Sequence, residues 1–353
     1  MAKRKTLPKN FGELLKTASV EELKRVFDKC LLDARGGYQK QTAIGFLDCP
    51  DELILWLADQ GLDVDTPDAY GGTPLWERAS MGRVAQIPLL ISLGADIERR
   101  RSGGVTPLHG AAGWQKVNTT RVLLQHGADL QAVTDTEGET PLLYALRRTR
   151  NASIADTAQV VKLLLEAGTA VTDEMRYEVE RIGKDFEFHR ANFNPDYLAE
   201  TEAGLAELYA LSGVTPVVER KVHDGVSPIL VSDGGWREQY ELLWEMLVPS
   251  SGAAKTVQGE AIRITGRISH EILGNGGANW DREFKKMLDV LPEHFASGNA
   301  LSASELDEAQ VLVKALRSGD GDAEQLHRLS ELAVAWVVLN PSPIALPSVP
   351  YGR

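Results

Sequence analysis

The chain has 353 residues, 43% apolar and 25% charged, with a formal net charge of −12 and a pI of about 5.2. This is a globular composition that excludes a disordered chain, and two cysteines, Cys30 and Cys49, exclude a disulfide framework. The acidic balance argues against a nucleic-acid partner, because that binding rests on Lys and Arg neutralising phosphates.

Taken in order, MAKRKTLPKN has basic residues with no apolar core behind them, unlike a signal peptide. The apolar run LAVAWVVL (332–339) is far short of a membrane span. A cytoplasmic protein with both thiols reduced and buried, and with no membrane partner, is expected. ELLKTASVEELKRVFDKCLLDA (13–34) predicts a helix pair, so that 1–34 forms an N-terminal tail and cap. DELILWLADQGLDV (51–64) reads as the second helix of a degenerate repeat.

Two ladders then share one period. TPL tripeptides begin at Thr73, Thr106 and Thr140, 33 and 34 residues apart, and glycines recur at Gly61, Gly94, Gly127 and Gly168 in GLDV, GADI, GADL and GTAV. The threonine can cap a helix with its hydroxyl, the proline fits the first helical position, and the glycine supplies a left-handed stop. The spelling GVTPLHGAAG (104–113) resembles the ankyrin repeat, a turn followed by two antiparallel helices. The resemblance implies an all-α solenoid of helix-turn-helix units with hairpin fingers over 35–171, and a hydrogen-bonding role for His109 within and between repeats. His126 reads as a helix-end residue. The copies are uneven: Trp76 stands in the histidine position and Arg78 in place of an alanine. Thr140 to Gly168 takes 28 residues where its neighbours take 21, which predicts a longer inter-helix loop within 147–159.

Beyond the repeats, 172–193 and 194–213 predict helices, the first with Met175, Val179, Ile182, Phe186 and His189 on one stripe. VTPVVERKVHDGVSPI (214–229) alternates like a finger, and its DGVSPI echoes GGVTPL, so 172–249 is expected to hold diverged ankyrin-like repeats. Residues 250–340 predict a helical C-terminal domain and 341–353 an extended Pro-rich tail. Within that domain Val257, Ala261, Ile264, Ile268 and Ile272 form an apolar stripe beside Glu260, Arg263, Arg267 and Glu271. Trp280, Phe284, Met287, Leu288 and Leu291 face inward on a further helix, and Ser302 with Glu305 spells a capping box. The wording of 247–284 resembles segments of uncharacterised bacterial proteins, which carries no activity across.

No complete catalytic or cofactor motif is present. His270-Glu271 lacks the second histidine of a zinc site, Asp320 and Asp322 lack the remaining ligands of a calcium loop, and GNGG (274–277) follows no strand. The four charges at 260–271, with Asn279 and Asp281, could line a cleft, but a salt-bridge network between helices is the plainer use. His223 and Asp224 read as turn residues. No enzyme, cofactor or metal is expected.

An ankyrin array implies a protein partner, met by the first helices and the finger tips. Counted from TPL, the exposed positions are Glu77 and Met81, then Trp114, then Tyr144, Arg147 and Arg148; the fingers add Tyr70, Arg99, Arg100 and Arg101. Aromatic residues and arginines are the types that dominate binding hot spots. An acidic recognition protein resembles the ankyrin-type immunity proteins of bacteria, which would imply a basic toxin as partner. A scaffold or regulatory adaptor, or an enzyme with its site in the C-terminal helices, stays open, as does the oligomeric state.

Overall fold

The first helix of each repeat begins at a capping threonine in the computed structural model, which describes residues 2–352. The chain divides into two compact units, Met1–Phe186 with Phe193–Val217, and Glu187–Asn192 with Val218–Arg353. The first unit starts with a strand, β1 (Arg4–Thr6), two short helices, α1 (Phe11–Thr17) and α2 (Val20–Val26), and a strand, β2 (Cys30–Arg35), paired with β1 in parallel. After α3 (Asp51–Asp59) come three helix pairs: α4 (Pro74–Met81) with α5 (Ile87–Ser92), α6 (Pro107–Gly113) with α7 (Val117–Gln125), and α8 (Pro141–Arg148) with α9 (Ile154–Glu166). Then follow α10 (Asp173–His189), whose last turn groups with the second unit, and α11 (Pro195–Ser212).

The repeat chemistry is as the spelling requires. The hydroxyls of Thr73, Thr106 and Thr140 accept hydrogen bonds from the N–H groups of Trp76, His109 and Leu143 at 3.2, 3.4 and 3.4 Å, with a proline opening each helix. Gly127 closes its unit at φ +83°. α4 packs on α6 and α6 on α8. Leu75, Leu108 and Leu142 lie buried along that seam with Ala79, Ala111, Ala112 and Ala145. His109 is fully buried: one ring nitrogen meets the Thr106 hydroxyl at 2.8 Å and the other the Glu139 carbonyl of the next repeat at 2.9 Å.

Four local features depart from the sequence reading. The expected helix pair at 13–34 ends at Val26, and 30–35 is the strand β2, with Cys30 and Ala34 turned into the core. Lys3 ties β1 down by donating to the Phe27 carbonyl at 2.7 Å. The extra length of the third repeat goes mainly into α9, which begins early at Ile154 and runs 13 residues against nine for α7. The fingers are tight turns with a single bridge, Arg101 to Val105, in the one at 99–105. Residues 214–235 hold no helix: the Ser227 hydroxyl donates to Asp224 at 2.6 Å instead of capping, so the Ser-Pro echo of TPL starts nothing. α12 (Trp236–Leu247) comes next, without a first helix before it to complete a repeat.

The second unit is built round α13 (Val257–Ser269), which continues as a π-helical turn at His270–Gly274, with α14 (Arg282–Asp289), α15 (Leu291–Phe295), α16 (Ala303–Leu316) and α17 (Ala323–Leu339). The apolar stripe from Val257 to Ile272 is buried, as are Phe284, Met287, Leu288 and Leu291. The predicted box at Ser302 and Glu305 caps α16. α13 is buried beyond its stripe, for Gln258, Glu260, Arg263 and Thr265 are inside too. Glu260 and Arg263 pair at 2.6 Å; burial opposes the Glu260 charge, but the guanidinium and the Tyr351 hydroxyl, which donates at 2.6 Å, hold its carboxyl below the usual range. The Pro-rich tail is extended and fastened along α13. The Gln258 amide donates to the carbonyls of Asn340 and Ser342, and the Val257 N–H donates to Ile344 at 2.8 Å.

Burial lowers the His109 pKa in the folded chain, so the unfolded chain binds more protons below pH about 6.5 and stability falls as the pH drops through that value. His109→Ala is expected to cost about 2–3 kcal/mol, since the Glu139 carbonyl loses its partner, and to reduce this acid sensitivity; urea unfolding at two pH values measures both. Tyr351→Phe should cost about 1.5–3 kcal/mol, as expected for a hydrogen bond to a buried charge, read from the same kind of unfolding curve.

Candidate partner-binding surface

Position within the repeat decides what each residue can offer. Three residues after the capping threonine stand Trp76, His109 and Leu143; four after it, Glu77, Gly110 and Tyr144; eight after it, Met81, Trp114 and Arg148. The third position faces the interior. His109 reaches the next repeat from there, but Trp76 cannot: its indole N–H has no hydrogen-bond partner among the described residues, and the Arg101 guanidinium lies over its ring at 4.4 Å.

At the fourth position Glu77 is buried, within 3.4 Å of the Gln39 amide, and burial with Asp68 alongside pushes its carboxyl above the usual range. It is a structural residue, out of a partner's reach. Tyr144 sits edge-on to the His109 ring, 5.4 Å between centroids. Gly110 and Gly113 keep the seam narrow: a Cβ at 113 would lie 2.5 Å from the Tyr144 ring.

The eighth position is the open one. Met81 is 56% and Trp114 62% exposed, on the ends of neighbouring helices. Arg148 follows in the same register, half-exposed, with its guanidinium 3.3 Å above the Tyr144 ring. Arg148 also reaches the Glu139 carboxylate at 3.5 Å, and Arg147 shares it at 3.3 Å while extending to Glu178 at 3.5 Å and Glu174 at 3.7 Å. The role of Arg147 is to join α8 to α10.

The three finger arginines part company. Arg99 is exposed and makes no side-chain hydrogen bond or ion pair among the described residues. Arg100 pairs with Asp135 at 3.4 Å and donates to the Val133 carbonyl, linking successive fingers, while Arg101 covers Trp76. Tyr70 is exposed at its finger tip, and its carbonyl accepts from the Ser102 hydroxyl at 2.8 Å.

Arg78 was legible only as an anomaly. It is fully buried and donates to the Phe46 carbonyl at 2.9 Å and to Gln86 at 3.1 Å; Gln86 in turn donates to the Cys49 carbonyl and Asp51. Burial lowers its pKa to about 10 and raises that of Cys49 to about 12, which makes Cys49 an inert buried thiol. The cation replaces a small residue to seal the array against the segment before it.

A family model of ankyrin repeats, in three copies, matches residues 87–175. No curated protein matches the chain. No helix among the described residues is long and apolar enough to cross a membrane.

Met81→Ala and Trp114→Ala should change stability by less than about 0.5 kcal/mol, since both side chains are largely exposed. Arg147→Ala should cost about 1–2 kcal/mol by depriving buried Glu139 of a donor. Urea midpoints of the three variants separate surface from scaffold.

Proposed function

With residues 87–175 belonging to the ankyrin-repeat family, we propose that this array holds another protein through the ladder Met81, Trp114 and Arg148, flanked by Tyr144 and the finger residues Tyr70 and Arg99. One observation carries the reading: at the same position of successive repeats an apolar and an aromatic side chain are largely exposed beyond buried helices, and a cation follows there, partly exposed over Tyr144 and Glu139. A largely exposed tryptophan costs the fold nothing to remove, and such residues anchor interfaces when a partner covers them.

The narrower reading is an inhibitory partner, an immunity protein that neutralises a toxin. The net charge of −12 supports it, since that field draws a basic toxin in and speeds encounter. The ladder itself ends in a cation, so the acidic attraction acts at longer range and the ladder supplies close contacts.

Affinity capture by the full chain from lysate of the cells that make it tests both readings. Trp114→Ala should weaken capture of the specific partner about 30-fold, the loss of roughly 2 kcal/mol expected of a hot spot. Unchanged capture removes the ladder from the account. If the captured partner proves harmless when produced alone, the immunity reading falls and the binding module stands.

A further inference from the structure

In the second unit, α12, α13 with its π-helical turn, α14 and α17 border an open cavity of about 760 Å³. That volume lies within the range of small-molecule sites. Its walls are flat and aromatic. α12 presents Trp236, Tyr240 and Trp244, one turn apart, and α14 adds Phe284. Tyr240 and Trp244 stack at 25°, and the Tyr240 hydroxyl is fixed 3.0 Å from the Ile262 carbonyl. Trp244 can lie against α13 because residue 266 is glycine: a Cβ there would be 2.2 Å from the indole.

The polar end is built by the turn that sequence reading passed over as a broken zinc motif. π-helical turns recur at functional sites because the extra residue redirects the chain. Here Glu271 is buried, and its carboxylate accepts from the Asn279 N–H at 2.6 Å and from the side-chain amides of Asn275 and Asn279 at 3.1 and 3.3 Å. Its carbonyl accepts from the Gly277 N–H at 2.8 Å. The loop GNGGAN is thereby closed around one carboxylate and forms part of the cavity rim. Of the four charges read on this helix, Glu260 and Arg263 belong to the core, while Arg267 and Glu271 line the cavity with Asn279. Asp281 caps α14.

The balance of charge at the opening points to the ligand. The donors around Glu271 already answer its charge. Arg237, His270 and His327 also line the cavity, and none of them makes a side-chain hydrogen bond or ion pair among the described residues. Arg237 lies across the Trp236 ring at 4.4 Å and His327 beside it at 6.1 Å. Glu241 is the one further carboxylate among the lining residues. Cationic and hydrogen-bond-donating groups thus outnumber acceptors on an aromatic wall.

We propose that this cavity binds a small planar aromatic molecule carrying one anionic group, its ring against Trp236 and Trp244 and its anion met by Arg237 and the rim histidines. Stacking supplies the affinity and the guanidinium the choice of charge. The anion can be a carboxylate or a phosphate, which two probes distinguish.

Isothermal titration calorimetry on the full chain, with indole-3-acetate and adenosine 5′-monophosphate as probes, tests it. Neutral indole, tryptamine and acetate serve as controls. The expected result is a dissociation constant of about 1 mM or tighter for at least one aromatic anion, and weaker binding of every control. Arg237→Gln, on an exposed side chain, should weaken that binding at least about tenfold with the unfolding midpoint unchanged. Trp236→Ala should weaken binding as much, with some loss of stability because its part-buried ring packs on the core. No heat with either anion, equal affinity for indole or tryptamine, or undiminished binding to Arg237→Gln would each overturn the proposal. None of these outcomes depends on the repeat array binding a protein.

Discussion

The first unit depends on how closely neighbouring first helices can approach. Ala111, Ala112, Gly110 and Gly113 hold α6 near enough to α4 and α8 for a buried imidazole to span the seam, and His109 uses that proximity to satisfy the Glu139 carbonyl of the next repeat. Each helix pair buries its apolar face only against its neighbours, so stability passes from repeat to repeat and the interior positions have little freedom to vary. The outer end of each first helix lies outside this constraint. It is there that the chain places Met81, Trp114 and Arg148.

Where one repeat breaks the pattern, the physics is repaired locally. Trp76 forfeits the cross-repeat hydrogen bond, and an arginine from the adjacent finger covers its ring. Arg78 fills an alanine's place with a buried cation, satisfied by carbonyl and amide oxygens and with no carboxylate among its hydrogen-bond partners. Such a group is tolerable because every hydrogen bond comes from rigid neighbours, and removing one of them would leave a charge in the interior.

The repeats were legible because their determinants are local: a threonine, a proline and a glycine act on the backbone within a few residues of themselves. The same holds for Ser302 with Glu305 and for the stripe on α13. What depended on distant pairing was hidden. β2 needs β1, 24 residues away, and looked like the end of a helix. The DGVSPI echo failed because Asp224 takes the serine hydroxyl before it can cap. Register gave the open ends at Met81 and Trp114. It did not give the burial of Glu77 by Gln39 and Asp68, nor the drawing-in of Arg147 by Glu139, Glu174 and Glu178 and of Arg101 by Trp76, all set by residues outside their own elements. The charges on α13 could be seen as a set but not divided, because Tyr351, far along the chain, decides that Glu260 is core.

Site-specific photo-crosslinking in the producing cell tests the central claim, that the open ladder grips a protein. A photoreactive phenylalanine analogue would be placed in turn at positions 81, 114 and 148, and at Val311, an exposed residue of the other unit, as control. The account predicts that all three ladder positions crosslink to one and the same protein and that the control does not. Crosslinks from the control alone, or to a different protein from each ladder position, would contradict it.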